Sequence, residues 1–254
     1  DGELMAWEPQ SGYADSYQVT ASFANGAKIM GAEIILRNPV ENIIPSTNCL
    51  YSVITAMGTI ETPLIVVAAG PWSKSLLMSI GIDIPLTTVR HQVASITRPT
   101  DLIPTHPSVG DAIHNFSFRP EGGGLTLVGF GEEDAMVDQY NQGVDIDSVN
   151  QIMPGLIGRM PHMEDAYFRG GWSGLFTVTP DWHPILDKIP GLPGIYCAVG
   201  FSGHGFKLAP AVGQAMSELI VDGQSSQVDL SILRFNRFAE KDLLTSSYQY
   251  NVLA

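Results

Sequence analysis

Positive charge and long apolar runs are both scarce in this sequence, and each scarcity excludes a class of protein. Lysine and arginine number 13 against 26 aspartates and glutamates, which gives a net charge of −13. So acidic a chain repels phosphate backbones, and we expect no nucleic-acid partner. The longest apolar stretches, such as residues 64–69, are far shorter than the roughly 20 residues that span a bilayer, so we expect no membrane span.

Cysteine is limited to Cys49 and Cys197. Two cysteines allow at most one disulfide and no disulfide framework, and their spacing matches no metal motif. A reducing, cytoplasmic setting is therefore the expected location. Four of the six histidines are scattered, without partners three or four residues away, so we expect no metal site; they are His91, His106, His114 and His162.

The composition is that of a folded, loop-rich globular protein. Apolar residues make up 44% and charged residues 15%, with 26 glycines and 17 prolines, which indicates a real core and excludes a disordered chain. The first residue is not Met, and the opening residues lack the charged-then-apolar order of a signal peptide. We therefore expect the chain to start in the middle of a longer natural protein.

The first third is predicted to be a helix followed by short strands. Asp15 as N-cap and Gly31 as C′ residue bound a helix. Strand-type runs separated by turn residues follow at 33–36, 40–44, 50–55 and 59–62. The continuous apolar run 64–68 is typical of a buried parallel strand, and Gly70 and Pro71 lead from it into a helix ending near Ile80.

The middle of the chain alternates in polarity and predicts an antiparallel sheet, whose strands are expected at 89–97, 115–119, 125–130 and 167–178, the last with an irregularity at Gly170-Gly171. Further helices are expected at 147–157, 208–221 and 231–240, and a second buried strand at 195–199. The two buried strands, each feeding a glycine-containing turn and a helix, bracket the sheet. The predicted fold class is therefore α/β plus α+β: a partial Rossmann-like half with an inserted antiparallel-sheet domain.

The strongest chemical signal is the segment AVGFSGHGFKLAP at 198–210. A strand delivers the chain into Gly200, Gly203 and Gly205, where the absence of a Cβ lets the backbone approach a ligand closely. The N–H groups at the start of the following helix favour negative charge, Lys207 adds a positive charge, and Pro210 is expected in the first helical turn. These features predict an anion site; the alternative is an ordinary tight strand-to-helix turn.

The string GFSGHGFK at 200–207, preceded by TPDWHPIL at 179–186 and GIYCAVG at 194–200, resembles the C-terminal signature of the FAD-dependent D-amino-acid-oxidase-like family that includes sarcosine oxidase, dimethylglycine dehydrogenase and glycine oxidase. In that family the loop lies against the flavin. The resemblance implies FAD contacts from Gly200, Phe201, Gly203, Gly205, Phe206 and Lys207. It also implies that Lys207 binds the substrate carboxylate and that His204 lies near substrate and flavin, the alternative for His204 being a structural hydrogen bond.

Two upstream segments resemble the same family. LIVVAAGPWS at 64–73 is similar to the segment beside the adenosine half of FAD, where Ala69 and Gly70 leave room and Trp72 follows. NPVENII at 38–44 is similar to the segment in which the backbone of Val40 meets the adenine. Taken alone, this second segment is a plain strand.

Four departures from the family pattern have consequences. The N-terminal G-x-G-x-x-G unit with its acidic ribose ligand is absent, and so is an Arg that helps hold the substrate carboxylate. Gly174 stands where monomeric sarcosine oxidases attach flavin to a cysteine, so FAD is expected to be non-covalent. Thr126 stands where those oxidases have an oxygen-activating lysine, which favours a dehydrogenase. Arg119, Trp172 and Phe176 are weaker pocket candidates. The sheet surface is the favoured alternative for Arg119, and the core is the alternative for Trp172 and Phe176. Cys197 is interpreted as a small core residue.

The resemblance implies an FAD-dependent oxidoreductase that oxidises the C–N bond of a small amino or N-methylamino acid, of the sarcosine, glycine or imino-acid type, to an imine. It divides the chain into residues 1–84 on the adenosine side, residues 85–180 as the substrate domain, and residues 181–254 returning to the FAD-binding domain. The alternative is a non-catalytic fragment, or a subunit of a hetero-oligomer, that needs a partner or the absent N-terminal unit to bind FAD. The chain alone is expected to be inactive.

Overall fold

The computed structural model describes residues 3–46 and 51–245, so Cys49 and the first residue of the strand predicted at 50–55 lie outside the described residues. The chain divides into two compact units, residues 1–37 and residues 38–254. The first unit contains α1 (Ser16–Ile29). The Asp15 carboxylate accepts a hydrogen bond from the backbone N–H of Gln18 at 2.7 Å, which confirms the predicted cap.

The second unit contains three helices and eleven strands in its described part. The strands are β1 (Val40–Pro45), β2 (Tyr51–Thr55), β3 (Gly58–Thr62), β4 (Ile65–Val67), β5 (Thr87–Thr97), β6 (Val109–Asp111), β7 (Phe116–Glu121), β8 (Leu125–Asp134), β9 (Tyr167–Val178), β10 (Ile185–Lys188) and β11 (Ile195–Val199). The helices are α2 (Ser73–Met78), α3 (Ile146–Arg159) and α4 (Gly205–Asp222).

These strands form three sheets, with orders β1-β2-β3, β10-β11-β4 and β6-β7-β8-β5-β9. The two apolar runs that the sequence identified as parallel strands pair with each other, with Ile195 opposite Ile65 and Cys197 opposite Val67. All pairings in the five-stranded sheet are antiparallel. The mixed α/β and antiparallel architecture predicted from the sequence is therefore confirmed.

The five-stranded sheet has one covered face and one half-exposed face, because buried and half-exposed residues alternate along β7 and much of β5. The covered face and α3 share one hydrophobic core, formed by Ala94, Ile96, Phe116, Phe118, Val128, Phe130, Val149, Leu156 and Met163. We call the opposite side the open face. By strand register it carries His91, Val93, Ser117, Arg119, Leu127, Gly129, Trp172, Gly174 and Phe176.

A second core lies between the parallel pair, β1, β2 and α2. Its buried members are Ile43, Tyr51, Val67, Leu77, Ile84, Leu86, Ile185, Ile189, Ile195, Cys197 and Val199. Cys197 is completely buried, in agreement with its interpretation as a small core residue. This core fixes the positions of β4 and β11, and because the two strands are parallel their carboxyl ends lie at the same edge of the sheet.

Several predicted element boundaries were wrong. The run 33–36 is irregular, because no described strand pairs with it. The helix expected at 231–240 is two short 3₁₀ turns, Leu230–Leu233 and Phe235–Arg237, since Arg234 between them has an extended backbone (φ −63°, ψ 150°). The helix predicted at 147–157 is confirmed as α3, which contains Pro154 and continues to Arg159.

Two errors bear directly on the site. The helix predicted from 208 begins at Gly205, so Phe206 and Lys207 belong to its first turn, while Pro210 is its sixth residue and lies beyond that turn. The run 64–68 is not buried throughout: β4 is an edge strand of its sheet, and Val66 is 41% exposed. The continuous apolar pattern therefore reflects one side packed in the core and one side facing a groove.

Candidate functional site

The parallel pairing of β4 and β11 brings two glycine-containing turns to the same edge of their sheet. Beyond Val67 the chain continues into Ala69 and Gly70, and beyond Cys197 it continues into Gly200. Ligand sites of α/β sheets lie outside the carboxyl ends of parallel strands. The two segments predicted as separate cofactor contacts are therefore neighbours, although about 130 residues of sequence separate them.

One side of this edge is a groove with a volume of about 880 Å³. Four of the predicted cofactor-binding residues line it, namely Val40, Ala69, Gly70 and Trp72. Val66 also lines it, and Val40, Val66 and Trp72 are all substantially exposed. Gly70 has a φ of +51° and opens the 3₁₀ turn that leads into α2, a conformation that favours glycine. The groove offers an apolar wall to a flat or apolar group.

The other side is the loop between β11 and α4, which coils back on itself through three left-handed residues: Gly200 (φ +74°), Ser202 (φ +49°) and Gly203 (φ +83°). A Cβ at Gly200 would lie 2.5 Å from Cγ2 of Thr179, so only glycine fits. Ser202 is buried, and its backbone N–H donates to the carbonyl of Thr177 at 2.9 Å. The loop is thereby fastened to the free edge of β9.

The start of α4 has the features of an anion site. Among the residues that the structure describes, no side chain caps its first turn, so the turn's N–H groups keep their capacity to donate to a ligand. Phe206 and Lys207 are exposed there. Phe201 packs against the helix start, because a Cβ at Gly205 would lie 3.0 Å from its Cβ. The half-buried His204 lies at the N-cap, where burial and the nearby charge of Lys207 lower its pKa.

The open face of the five-stranded sheet adjoins this loop through β9. Gly174 lies opposite His91 in register, and a Cβ at Gly174 would meet no atom within 4 Å. Phe176, two residues further along β9, stacks on His91 with ring centroids 4.8 Å apart. Trp172 is half-exposed on the same face. The turn of residues 70–72 also packs beside β9, so the groove, the loop and the open face are contiguous.

Other predicted candidates lie elsewhere or are held by neighbours. Thr126 is completely buried on the covered face, and its hydroxyl is 2.9 Å from Nε2 of His106. It therefore presents nothing to the open face, where Leu127 is its neighbour in the strand. Arg119 does lie on the open face and pairs with Glu121 at 2.8 Å.

Sequence reasoning missed the structural role of the TPDWH segment. Asp181 is buried and forms a two-point ion pair with the completely buried Arg237, at 2.8 and 3.0 Å. The carboxylate also accepts hydrogen bonds from the backbone N–H groups of His183 and Leu244. Burial raises the pKa of Asp181, but the bonds from Arg237 and these amides prevail and hold it below its ordinary value. The ion pair connects the segment before β10 to the chain after α4. No local sequence pattern predicts a partner that lies 56 residues away.

Within the described ranges, no group of three or more His, Cys, Asp or Glu side chains could hold a metal ion. No helix among the same residues combines the length and apolarity needed to cross a membrane.

The fold and the site define a class of α/β proteins in which a ligand lies along the carboxyl ends of parallel strands, here with an antiparallel sheet alongside. The chain belongs to the DAO family of FAD-dependent oxidoreductases, whose model matches residues 5–219. It is 28% identical to monomeric sarcosine oxidase from Bacillus sp. (strain NS-129), over 95% of this chain and 64% of that protein. It is 26% identical to human mitochondrial sarcosine dehydrogenase, over 85% of this chain and 25% of that protein.

Solved structures agree with this assignment. L-Proline dehydrogenase from P. horikoshii superposes with a TM-score of 0.80 at 26% identity, covering 90% of this chain and 61% of that one. Glycine oxidase from Geobacillus kaustophilus superposes with a TM-score of 0.75 at 23% identity, covering 86% and 57% respectively, which shows a shared fold. The chain spans less than two thirds of the length of each of these relatives.

Proposed function

We propose that this chain forms part of an FAD-dependent oxidoreductase that oxidises the C–N bond of a small amino or N-methylamino acid to an imine. FAD, when bound, supplies the electron acceptor for this oxidation. The observation that carries the proposal is the uncapped start of α4, with Lys207 in its first turn, held beside the open face by the bond from Ser202 to Thr177.

The described residues fit such a cofactor. The apolar groove at Val40 and Trp72 suits an adenosine moiety, and Gly70, where a Cβ would meet no described atom within 4 Å, lets a ligand approach the backbone. The uncapped N–H groups of α4 and the helix dipole would stabilise negative charge at the flavin pyrimidine. With glycine at 174 there is no nucleophile for a covalent link, so we propose non-covalent binding.

Lys207 is proposed to hold the substrate carboxylate. Lys207 is exposed in the first turn of α4, and no ion pair of Lys207 is found among the described residues, so its flexible cation would be available to a carboxylate bound beside the loop. An ammonium paired with a carboxylate in a partly desolvated pocket forms a charge-assisted hydrogen bond. His204 is proposed to lie beside the substrate. Because its pKa is lowered, it would be neutral at pH 7 and add no second positive charge.

The domain roles follow from this assignment and remain proposals. Residues 1–84 would belong to the adenosine side of the FAD-binding domain, residues 181–254 would return to that domain with the flavin-facing loop, and residues 85–180 would supply the substrate side. The competing hypothesis is a non-catalytic fragment, or a hetero-oligomer subunit that borrows its cofactor site. Direct measurement of FAD binding separates the two.

The test is FAD titration followed by gel filtration and absorbance near 450 nm, applied to the protein and to a matched pair of variants. Val40→Glu puts a charge into the groove at a position that is 42% exposed, whereas Ile60→Glu makes a similar change on β3, outside the groove, at a position that is 45% exposed. A carboxylate that must be desolvated against an apolar ligand should weaken FAD binding about tenfold or more, and only in Val40→Glu.

A yellow stoichiometric complex that Val40→Glu weakens and Ile60→Glu spares would support the proposal. A protein that binds no FAD would favour the non-catalytic alternative. Equal effects of the two variants would mean that the groove at Val40 is not the adenosine site.

A further inference from the structure

We infer that His91 is a substrate-contacting residue that accepts a hydrogen bond from the substrate amine, and that it favours amines which keep an N–H. This inference rests on the proposed function, because it takes the open face to be the substrate side. His91 lies on β5 at the centre of the contiguous site, between β8 and β9.

The tautomer of His91 follows from its hydrogen bond. Nδ1 lies 3.0 Å from the carbonyl oxygen of Gly131. A carbonyl only accepts, so Nδ1 must carry the proton, and in the neutral ring Nε2 is left with its lone pair. Burial lowers the pKa of His91, which agrees with a neutral ring. The Gly131 carbonyl therefore fixes both the orientation of the ring and the chemical character of its outer edge.

Nε2 lies over Gly129, because a Cβ at that glycine would be 2.9 Å from it. No hydrogen-bond partner of Nε2 is found among the described residues. Among the described residues, the one fully buried side-chain polar atom without a hydrogen-bond partner is Oγ of Ser73. Nε2 of His91 also lacks a partner, so it is not fully buried, and solvent or a ligand can reach it. An accessible acceptor on a buried and oriented ring is suited to a ligand that donates.

The surroundings indicate what kind of donor fits. Phe176 stacks on the ring at an interplanar angle of 21°. The cross-strand partner Gly174 has open space above it on β9, while Nε2 lies on the β8 side over Gly129. Of the nearby arginines, Arg90 is paired with Glu133 and Asp145, and Arg119, which shares the open face with His91, is paired with Glu121. The site therefore offers a neutral acceptor, an aromatic wall and room for a small group, which suits an amine N–H carried on a small aliphatic skeleton.

The same chemistry sets a specificity. An amine must give up its proton before its nitrogen lone pair can assist imine formation. A primary or secondary amine in that neutral state still has an N–H for Nε2, whereas a neutral tertiary amine has none. His91 should therefore favour N-methylglycine over N,N-dimethylglycine.

Two substitutions separate this role from a structural one. His91→Asn keeps an amide N–H near the Nδ1 position for the Gly131 carbonyl and removes the outer acceptor. His91→Gln reaches the Nε2 position and keeps an acceptor there. In the flavin-loaded protein, kcat/KM for N-methylglycine should fall about three- to tenfold in His91→Asn, as expected for a lost neutral hydrogen bond. The value for N,N-dimethylglycine should stay within about twofold, and His91→Gln should recover most of the preference.

A binding measurement without turnover provides the second readout. 2-Aminoisobutyrate has no hydrogen on its α-carbon, and pivalate replaces its amine by a methyl group. In His91→Asn the dissociation constant of 2-aminoisobutyrate should rise relative to that of pivalate by about three- to tenfold, and in His91→Gln it should rise much less.

The outcomes distinguish the two proposals. If the protein binds FAD and oxidises an amino acid, but the kcat/KM ratio and the dissociation-constant ratio are the same in the unaltered protein and both variants, the inference is wrong and the proposed function stands. If His91→Asn is normal and His91→Gln is impaired, the role is structural. If the unaltered protein binds neither FAD nor the probes, both proposals fail.

Discussion

Replacing Arg237 with methionine should destabilise the protein strongly, because it leaves a buried carboxylate without its cation. Both side chains of the Asp181–Arg237 pair are almost wholly sequestered, at 1% and 0% exposure. Breaking such a pair by removing one partner costs about 3–5 kcal/mol. A change of 1 kcal/mol shifts Tm by about 2–4 °C in a chain of this size. We therefore expect Tm to fall by roughly 6–20 °C.

The assay is thermal unfolding followed by circular dichroism, with Arg169→Met as the matched control, since Arg169 is exposed on β9. The control should shift Tm by no more than a degree or two. The double variant Asp181→Asn with Arg237→Met removes both charges, and its single amide oxygen can still accept from one of the two backbone N–H groups, that of His183 or that of Leu244. It should recover at least half of the lost stability. Equal Tm values for Arg237→Met and Arg169→Met would refute the reasoning.

Acid should reduce the difference in the free energy of unfolding between the unaltered protein and Arg237→Met. The pKa of Asp181 lies below its ordinary value of 3.8 in the folded protein. The pair therefore stabilises the fold fully above about pH 4 and loses this contribution as pH falls through the folded pKa. In Arg237→Met the bonds from Arg237 no longer offset burial, so the pKa of Asp181 rises. Protonation of Asp181 in acid then removes the unpaired buried charge that destabilises the variant. A stability difference that stays constant from pH 7 to pH 3 would contradict this account.

Three further outcomes are expected. Lys207→Met in the flavin-loaded protein should lower kcat/KM for a small amino acid about ten- to hundredfold and leave the FAD dissociation constant unchanged. Lys188→Met is the control. Weaker FAD binding with normal kinetics per bound flavin would show that Lys207 binds the cofactor and not the substrate. Acid precipitation should release flavin into the supernatant, because Gly174 has no nucleophile, and flavin retained on the peptide containing position 174 would contradict this. Burial raises the pKa of Cys197 to about 12, so iodoacetamide at pH 8 should leave its peptide unmodified until the protein is denatured, and rapid alkylation of the folded protein would show that β11 opens.

Local patterns were sufficient to predict the elements whose residues satisfy one another over short distances. The helix capped by Asp15, the strand Tyr167–Val178 and the parallel character of the run before Gly70 all follow from periodicity and cap chemistry, which act within a few residues. The family was also identified from sequence, because the strings at 179–186, 194–200 and 200–207 resemble its C-terminal signature. These predictions required no knowledge of distant contacts.

Tertiary contacts decided the rest. The start of α4 at Gly205 and the left-handed Ser202 depend on the bond from Ser202 to Thr177 on β9, a residue that no local pattern links to the loop. The irregular chain around Arg237 is set by its ion pair with a carboxylate 56 residues earlier.

His91 shows the division most clearly. In the sequence it is one of several isolated histidines. The sheet register places it opposite Gly174, the β8 chain supplies the carbonyl of Gly131 that fixes its tautomer, and Phe176 supports its ring. Composition and spacing determined which residue types were present and which family the chain resembles. Only the pairing of distant strands decided which of these side chains face one another, because hydrogen-bond direction, burial and open space are properties of neighbours in space.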